Sequence, residues 1–156
     1  MARTLLDQAM ELQRAVSGLV KKFQFRDRNE TVAYGLSVSQ AYVLRALSEL
    51  GPLTMGGLAA EMRLSVSTMT RVVAQLDRKS LVRRTSDARD GRVCRVALSG
   101  RGQSQWQRIE DELVAADLAV LQTIPSAERE TVIRAIGKLS AAIDIWREQN
   151  KGGGES

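Results

Sequence analysis

The sequence contains no histidine and a single cysteine, Cys94. Without histidine, neither the common Cys/His zinc sites nor a Ser-His-Asp triad can be built, so no metal site and no catalytic residues are assigned. One cysteine cannot close an intramolecular disulfide, which fits a reducing compartment. Aromatic residues are only 4% of the chain, too few for the stacking platform of a single-strand binder. No run of about 18 apolar residues occurs, so no membrane partner is expected. The opening stretch MARTLLDQAMELQR reaches an acidic residue at position 7 and has no unbroken apolar core. It is not read as a signal peptide, and the expected location is cytoplasmic.

What is present is unusual in its distribution. The formal net charge is +5, but residues 63–101 alone carry ten Lys/Arg against three Asp. Residues 1–62 are close to neutral and residues 102–156 are acidic. A basic middle between such flanks points to one polyanion-binding face, not a uniformly adhesive surface. At 156 residues the chain suits one domain, or one domain with a helical extension.

Periodicity supplies the elements. Leu5, Ala9, Leu12, Val16, Leu19 and Phe23 mark a long first helix, and the polar segment Arg26–Gly35 reads as a loop. Ser37 or Ser39 caps a second helix with Ala41, Leu44, Leu47 and Leu50 inward, closed by Gly51-Pro52. Thr54 caps a short helix, Met55–Met62. After the tight turn Arg63-Leu64-Ser65 another helix opens, ending near Lys79-Ser80. Leu81–Thr85 and Val93–Leu98 read as strands around the turn-rich SDARDGR, a two-stranded arm with Arg89, Arg92 and Arg95 at or near its tip. Ser99 caps a long helix to about Thr123, with Trp106, Ile109, Leu113, Ala116 and Val120 on one face. Beyond Pro125, Ser126 caps a last helix whose face is Val132, Ile133, Ile136, Leu139, Ile143 and Trp146. The Gly-rich tail is expected to be disordered.

The stretch Leu64–Arg84 organises the rest. Met69, Val72, Val73 and Leu76 form one buried helical face, while Ser67, Thr68, Arg71 and Gln75 form a polar one. Such a helix can fill a major groove. Arg71 is the candidate for a bidentate contact to guanine, and Gln75 a weaker candidate for adenine. Ser65, Ser67 and Thr68 sit at the positive helix start, within reach of phosphates or bases. Arg83 and Arg84 are candidate phosphate contacts, and Arg95 is a further DNA-binding candidate. Arg89 and Arg92 are candidates for the negative minor groove, with Asp87 as a buttress aiming Arg89. For each of these the bland alternative is a solvated polar surface, but a turn needs no three arginines.

Read together, LTMGGLAAEMRLSVSTMTRVVAQLDRKSLVRRTSDARDGRVCRVALSGRG, Leu53 to Gly102, resembles the winged-helix core of the MarR family of transcriptional regulators. The resemblance lies in Leu53-Thr54, in the Ser-x-x-Thr-x-x-Arg run Ser65–Arg71, in Leu81–Arg84 and in the Asp-x-Arg wing Asp87–Arg89. Where the family often has Gly before its Leu-Val strand, this chain has Ser80, so the helix end is expected to be reshaped or strained. Leu98-Ser99 stands for the usual Leu-Thr and keeps the capping hydroxyl.

The resemblance implies a mostly α fold with a small β wing: a winged helix-turn-helix core with long N- and C-terminal dimerisation helices. The expected division is 1–36 for the N-terminal helix and loop, 37–100 for the DNA-binding region, 101–150 for the C-terminal dimerisation helices and 151–156 for the tail. It implies a homodimeric regulator, a repressor, on a pseudo-palindromic double-stranded DNA site. No cofactor is required, and the resemblance implies a small aromatic or phenolic effector. A sequence-tolerant, nucleoid-type DNA binder without an effector is the alternative. An enzyme or adaptor on the same fold is disfavoured by the missing histidine. Cys94, on a strand, reads as a small packed side chain, and the carboxylates at 110–112, 128 and 130 as solvated charges.

Overall fold

The structure, a computed structural model, describes residues 3–86, Asp90 and 93–150, the side chains of residues 25–33 excepted. The chain forms two compact units that divide at Asp111/Glu112.

In the first unit, α1 spans Leu5–Ala33. Thr4 caps it reciprocally: its Oγ1 accepts from the Asp7 N–H at 3.1 Å, and the Asp7 carboxylate accepts from the Thr4 N–H at 3.1 Å. The Thr4 hydroxyl also donates to this carboxylate at 2.7 Å, and that bond, with the one from the Thr4 N–H, holds the Asp7 carboxyl below its ordinary value. The helix runs through the segment from Arg26 onward that polarity alone marks as a loop. Nothing between Phe23 and Gly35 is Gly or Pro, and charged side chains do not break a helix. The break comes at Gly35, which has a positive φ of 67°.

Helix α2 spans Val38–Leu50 and is capped by Ser37, not Ser39. Gln40 closes a capping box with Ser37. Ala41, Leu44 and Leu47 are buried as their spacing requires, but Leu50, at the helix end, is exposed. Thr54 then caps α3, Met55–Met62, through a bond from the Gly57 N–H. Arg63 adopts the left-handed conformation, and the Leu64 N–H returns to the Ala59 carbonyl at 2.9 Å. This Schellman closure turns the chain within three residues and delivers Ser65 to the start of α4, Val66–Arg78. Met69, Val73 and Leu76 on α4 pack into the core with Leu44 and Leu58, all five fully buried.

The expected two-stranded arm is a three-stranded antiparallel sheet in the order β1-β3-β2. Strand β1 is Leu53–Thr54, β2 is Val82–Ser86 and β3 is Cys94–Leu98. Val82 pairs with Leu98 and Ser86 with Cys94, while Leu53 and Thr54 pair with Val96 and Arg95. The wing is therefore rooted on its far side by the residues that open α3.

Helix α5 spans Gly100–Gln122. Its start is pinned to the end of α4. The Ser99 hydroxyl accepts from the Gly102 N–H at 2.9 Å and donates to the Ser80 carbonyl at 2.7 Å, while the Ser99 N–H donates to the Leu81 carbonyl. Trp106 and Ile109 are buried, and the Arg108 guanidinium lies 5.6 Å from the centre of the Tyr34 ring.

The second unit holds the rest of α5 and helix α6, Ser126–Asn150. The turn joining them is held by Arg129 Nε, which donates to the Ile124 carbonyl at 3.0 Å. No residue of α6 is buried. Ile133, Ile136, Ile143 and Trp146 are all exposed in the single chain, Trp146 by 61%. Residues 151–156, where a disordered tail is expected, lie outside the described residues. Among the described residues no helix is long and apolar enough to cross a membrane, and no group of three His/Cys/Asp/Glu could hold a metal.

Candidate nucleic-acid interface

The start of α4 carries a cluster of three hydroxyls. Ser65 Oγ accepts from the Thr68 N–H at 3.2 Å and lies 3.0 Å from Ser67 Oγ and 2.8 Å from Thr68 Oγ1. The cap satisfies one of the free N–H groups at the helix start, and the others keep a partial positive charge facing solvent. All three residues are exposed. They form a compact group suited to an anionic oxygen.

Thr68, Arg71 and Gln75 follow at steps of three and four, so they share one face, and all are exposed. From Ser67 to Gln75 the helix rises about 12 Å, close to the width of a B-DNA major groove. Among the described residues Arg71 makes no hydrogen bond or ion pair, so its five donors face outward. Gln75 is held differently: Gln40 Nε2 donates to its Oε1 at 2.6 Å. The polar face thus ends in a side chain that the core of the head has already oriented.

The helix closes as α3 does. The Leu81 N–H returns to the Leu76 carbonyl at 3.0 Å and the Ser80 N–H to Asp77 at 2.8 Å, with Ser80 at φ 57°. Ser80 thus occupies the left-handed position that most often belongs to glycine, the reshaping expected at this residue. Leu76 and Leu81, both fully buried, supply the apolar contact that accompanies this closure.

The described arginines of the wing, Arg83, Arg84 and Arg95, do not form one patch. Arg83 and Arg84 are both exposed but adjacent on β2, so they point to opposite faces of the sheet. Arg83 Nε donates to the Leu98 carbonyl, whereas Arg84 has no partner among the described residues. Arg95 lies within the sheet instead of at the tip of the arm, opposite Thr85 and Thr54. It is half-buried, and its guanidinium donates to the Pro52 carbonyl at 3.3 Å. Asp87, Arg89 and Arg92 lie outside the described residues.

Three residues near this face escaped the sequence reading. Val66 is 52% exposed beside the hydroxyl cluster, where a methyl group could meet thymine. Lys79 reaches from the end of α4 to the Gly35 carbonyl and to Gln40 Oε1. Gln40 could have been found, since Ser37–Gln40 matches the Ser-x-x-Gln pattern of a capping box. Cys94, expected to be packed, is exposed.

Comparison with known proteins agrees with this geometry. A family model described as MarR family matches residues 34–93. The uncharacterized HTH-type transcriptional regulator Mb0904 of Mycobacterium bovis is 32% identical over 139 residues, covering 87% of this chain and 92% of the relative. The HTH-type transcriptional repressor MdtR of Bacillus subtilis is 25% identical over 145 residues, covering 92% and 94%. A MarR family protein from Bacillus stearothermophilus superposes with a TM-score of 0.84 at 25% identity, covering 91% of this chain and 99% of that one.

Proposed function

The chain belongs to the MarR family of winged helix-turn-helix, DNA-binding transcriptional regulators, and from that premise we propose that it acts as a homodimeric repressor on a pseudo-palindromic operator in the cytoplasm. The observation that carries this reading is the outer face of α4: three clustered hydroxyls, an Arg71 unpaired among the described residues and an oriented Gln75, all exposed on a helix of groove-filling length. One such face reads a few base pairs; two held by a two-fold axis read half-sites one helical turn apart.

Support for the dimer comes from apolar side chains that a single chain leaves in water. On α1 these include Leu5, Leu12, Leu19 and Phe23, and on α6 Ile133, Ile136, Ile143 and Trp146. Exposed stripes on both helices are what a subunit interface requires. Repression is supported by the name of the Bacillus subtilis relative, and release by a small aromatic or phenolic effector by the family resemblance. An effector acts only if it binds one of two head spacings more tightly than the other.

Footprinting on the DNA upstream of its own gene, with sedimentation of the free protein, tests the reading. A dimer that protects two patches about 10 bp apart is the expected result. A monomer, or uniform protection along any DNA, overturns it, the latter in favour of a sequence-tolerant binder. Loss of retardation on adding aromatic acids tests the effector.

A further inference from the structure

Gln40 is the only buried polar side chain in the core among the described residues, at 4% exposure. It is too enclosed to meet DNA. Its Oε1 accepts from the Ser37 backbone N–H at 3.2 Å and from the Lys79 ammonium at 3.0 Å. Both groups can only donate, so the atom they share must be the oxygen. The amide end of Gln40 is therefore directed at α4, where Nε2 donates to Gln75 Oε1 at 2.6 Å. With that oxygen held inward, Gln75 Nε2, which has no partner among the described residues, remains on the exposed face one turn beyond Arg71.

We infer that Gln40 is a positioning residue that determines operator sequence, by fixing Gln75 as a hydrogen-bond donor toward the bases. The inference rests on the reading that the outer face of α4 meets base edges. Arg71 carries donors and no acceptor, so the middle of the reading face offers donors only. Its complement is a base edge with acceptors and no donor, which in the major groove is guanine, with the pair N7 and O6, ahead of thymine, with O4 alone. Adenine is paired by glutamine only when Oε1 accepts from N6 while Nε2 donates to N7. In this head that oxygen is turned inward to Gln40, away from the exposed face. The adenine contact suggested for Gln75 by its residue type gives way to a guanine contact.

Gln40→Glu tests this from inside the core. The substitution keeps the size of the side chain, and one carboxylate oxygen still accepts from Ser37 and Lys79. The other oxygen cannot donate, so the Gln75 amide must turn over, placing its NH2 inward and Oε1 outward. The readout is enrichment of a randomised half-site pool by the full-length wild type, Gln40→Glu, Gln75→Ala and Arg71→Ala. Gln75→Ala identifies the positions that Gln75 reads. There the wild type should prefer guanine, and Gln40→Glu should shift enrichment about tenfold toward bases that present an amino group, adenine or cytosine. Positions that depend on Arg71 should not move, whereas a merely structural defect would flatten every position.

A wild-type measurement stands independently of how the variant folds. Replacing guanine by 7-deazaguanine at the Gln75-dependent position removes the N7 acceptor and should weaken binding several-fold. The inference is overturned by identical preferences in wild type and Gln40→Glu, by wild-type preference for adenine at that position, or by a Gln75→Ala profile that changes nowhere. A wild type that enriches no sequence at all overturns the specific-regulator reading itself, and the inference with it.

Discussion

Gly102→Ala should damage this protein far more than a single added methyl group suggests. A Cβ at Gly102 would lie 1.8 Å from the Leu81 carbonyl oxygen and 2.8 Å from its carbon, and both are backbone atoms. The carbonyl cannot swing aside freely, because it accepts the Ser99 N–H at 3.1 Å while the Leu81 N–H is tied to Leu76. The start of α5 and the start of β2 must therefore part by about 1.2 Å to reach even the shortest contact a real Cβ makes. Overpacking of this kind costs about 1–3 kcal/mol. Stretching the Ser99 bond adds about 1 kcal/mol, and the better helix propensity of alanine returns up to about 1 kcal/mol. The expected net loss is about 1–4 kcal/mol, out of a total of about 5–15 kcal/mol for an ordinary domain. Gly100→Ala is the matched control in the same helical turn. Nothing lies within 4 Å of its added Cβ, so it should be neutral or stabilising by up to about 1 kcal/mol. Urea unfolding read by tryptophan fluorescence, at one fixed protein concentration because association contributes to stability, gives both values. If the two variants agree within about 0.5 kcal/mol, the close approach at Gly102 does not constrain the fold.

Further outcomes follow from individual residues. Arg71→Ala should reduce the preference for operator over random DNA by about 1–3 kcal/mol, measured by competition in a mobility shift; an equal loss on both DNAs would argue against base contact. Arg84→Ala should lower the slope of log affinity against log salt by about one unit, leaving base preferences intact. Ser80→Gly should raise stability by about 0.5–1 kcal/mol by relieving the left-handed backbone at φ 57°, and a lower melting temperature would contradict that. Ser65→Ala should cost about 1 kcal/mol through loss of the cap on α4, visible as a lower unfolding midpoint.

The parts of the fold legible in the sequence are those that depend on local rules. Met55–Met62 was readable to the residue because a capping threonine stands before it and a three-residue turn after it. The buried face of α4 was readable because Met69, Val73 and Leu76 repeat with the helix. Polarity misled at the end of α1, where charged residues continue a helix that only Gly35 interrupts. Strand β1 could not be read, since two residues carry no period and Leu53–Thr54 become a strand only by lying beside Val96 and Arg95. The same limit applies at the interface. Arg71 and the hydroxyl cluster follow from helical spacing, and the opposed directions of Arg83 and Arg84 from strand alternation, but the orientation of Gln75 depends on Gln40, 35 residues away.

The buried amide at position 40 also bears on how such regulators diverge. Glutamine and glutamate codons differ by one nucleotide, and Gln40→Glu leaves every residue on the outer face of α4 as it was. A duplicated gene could therefore acquire a different operator in one mutational step while its reading helix stayed letter for letter the same. Copies separated in this way would stop competing for each other's sites before their surfaces had begun to differ. A comparison restricted to the residues of α4 would then assign both copies to one operator.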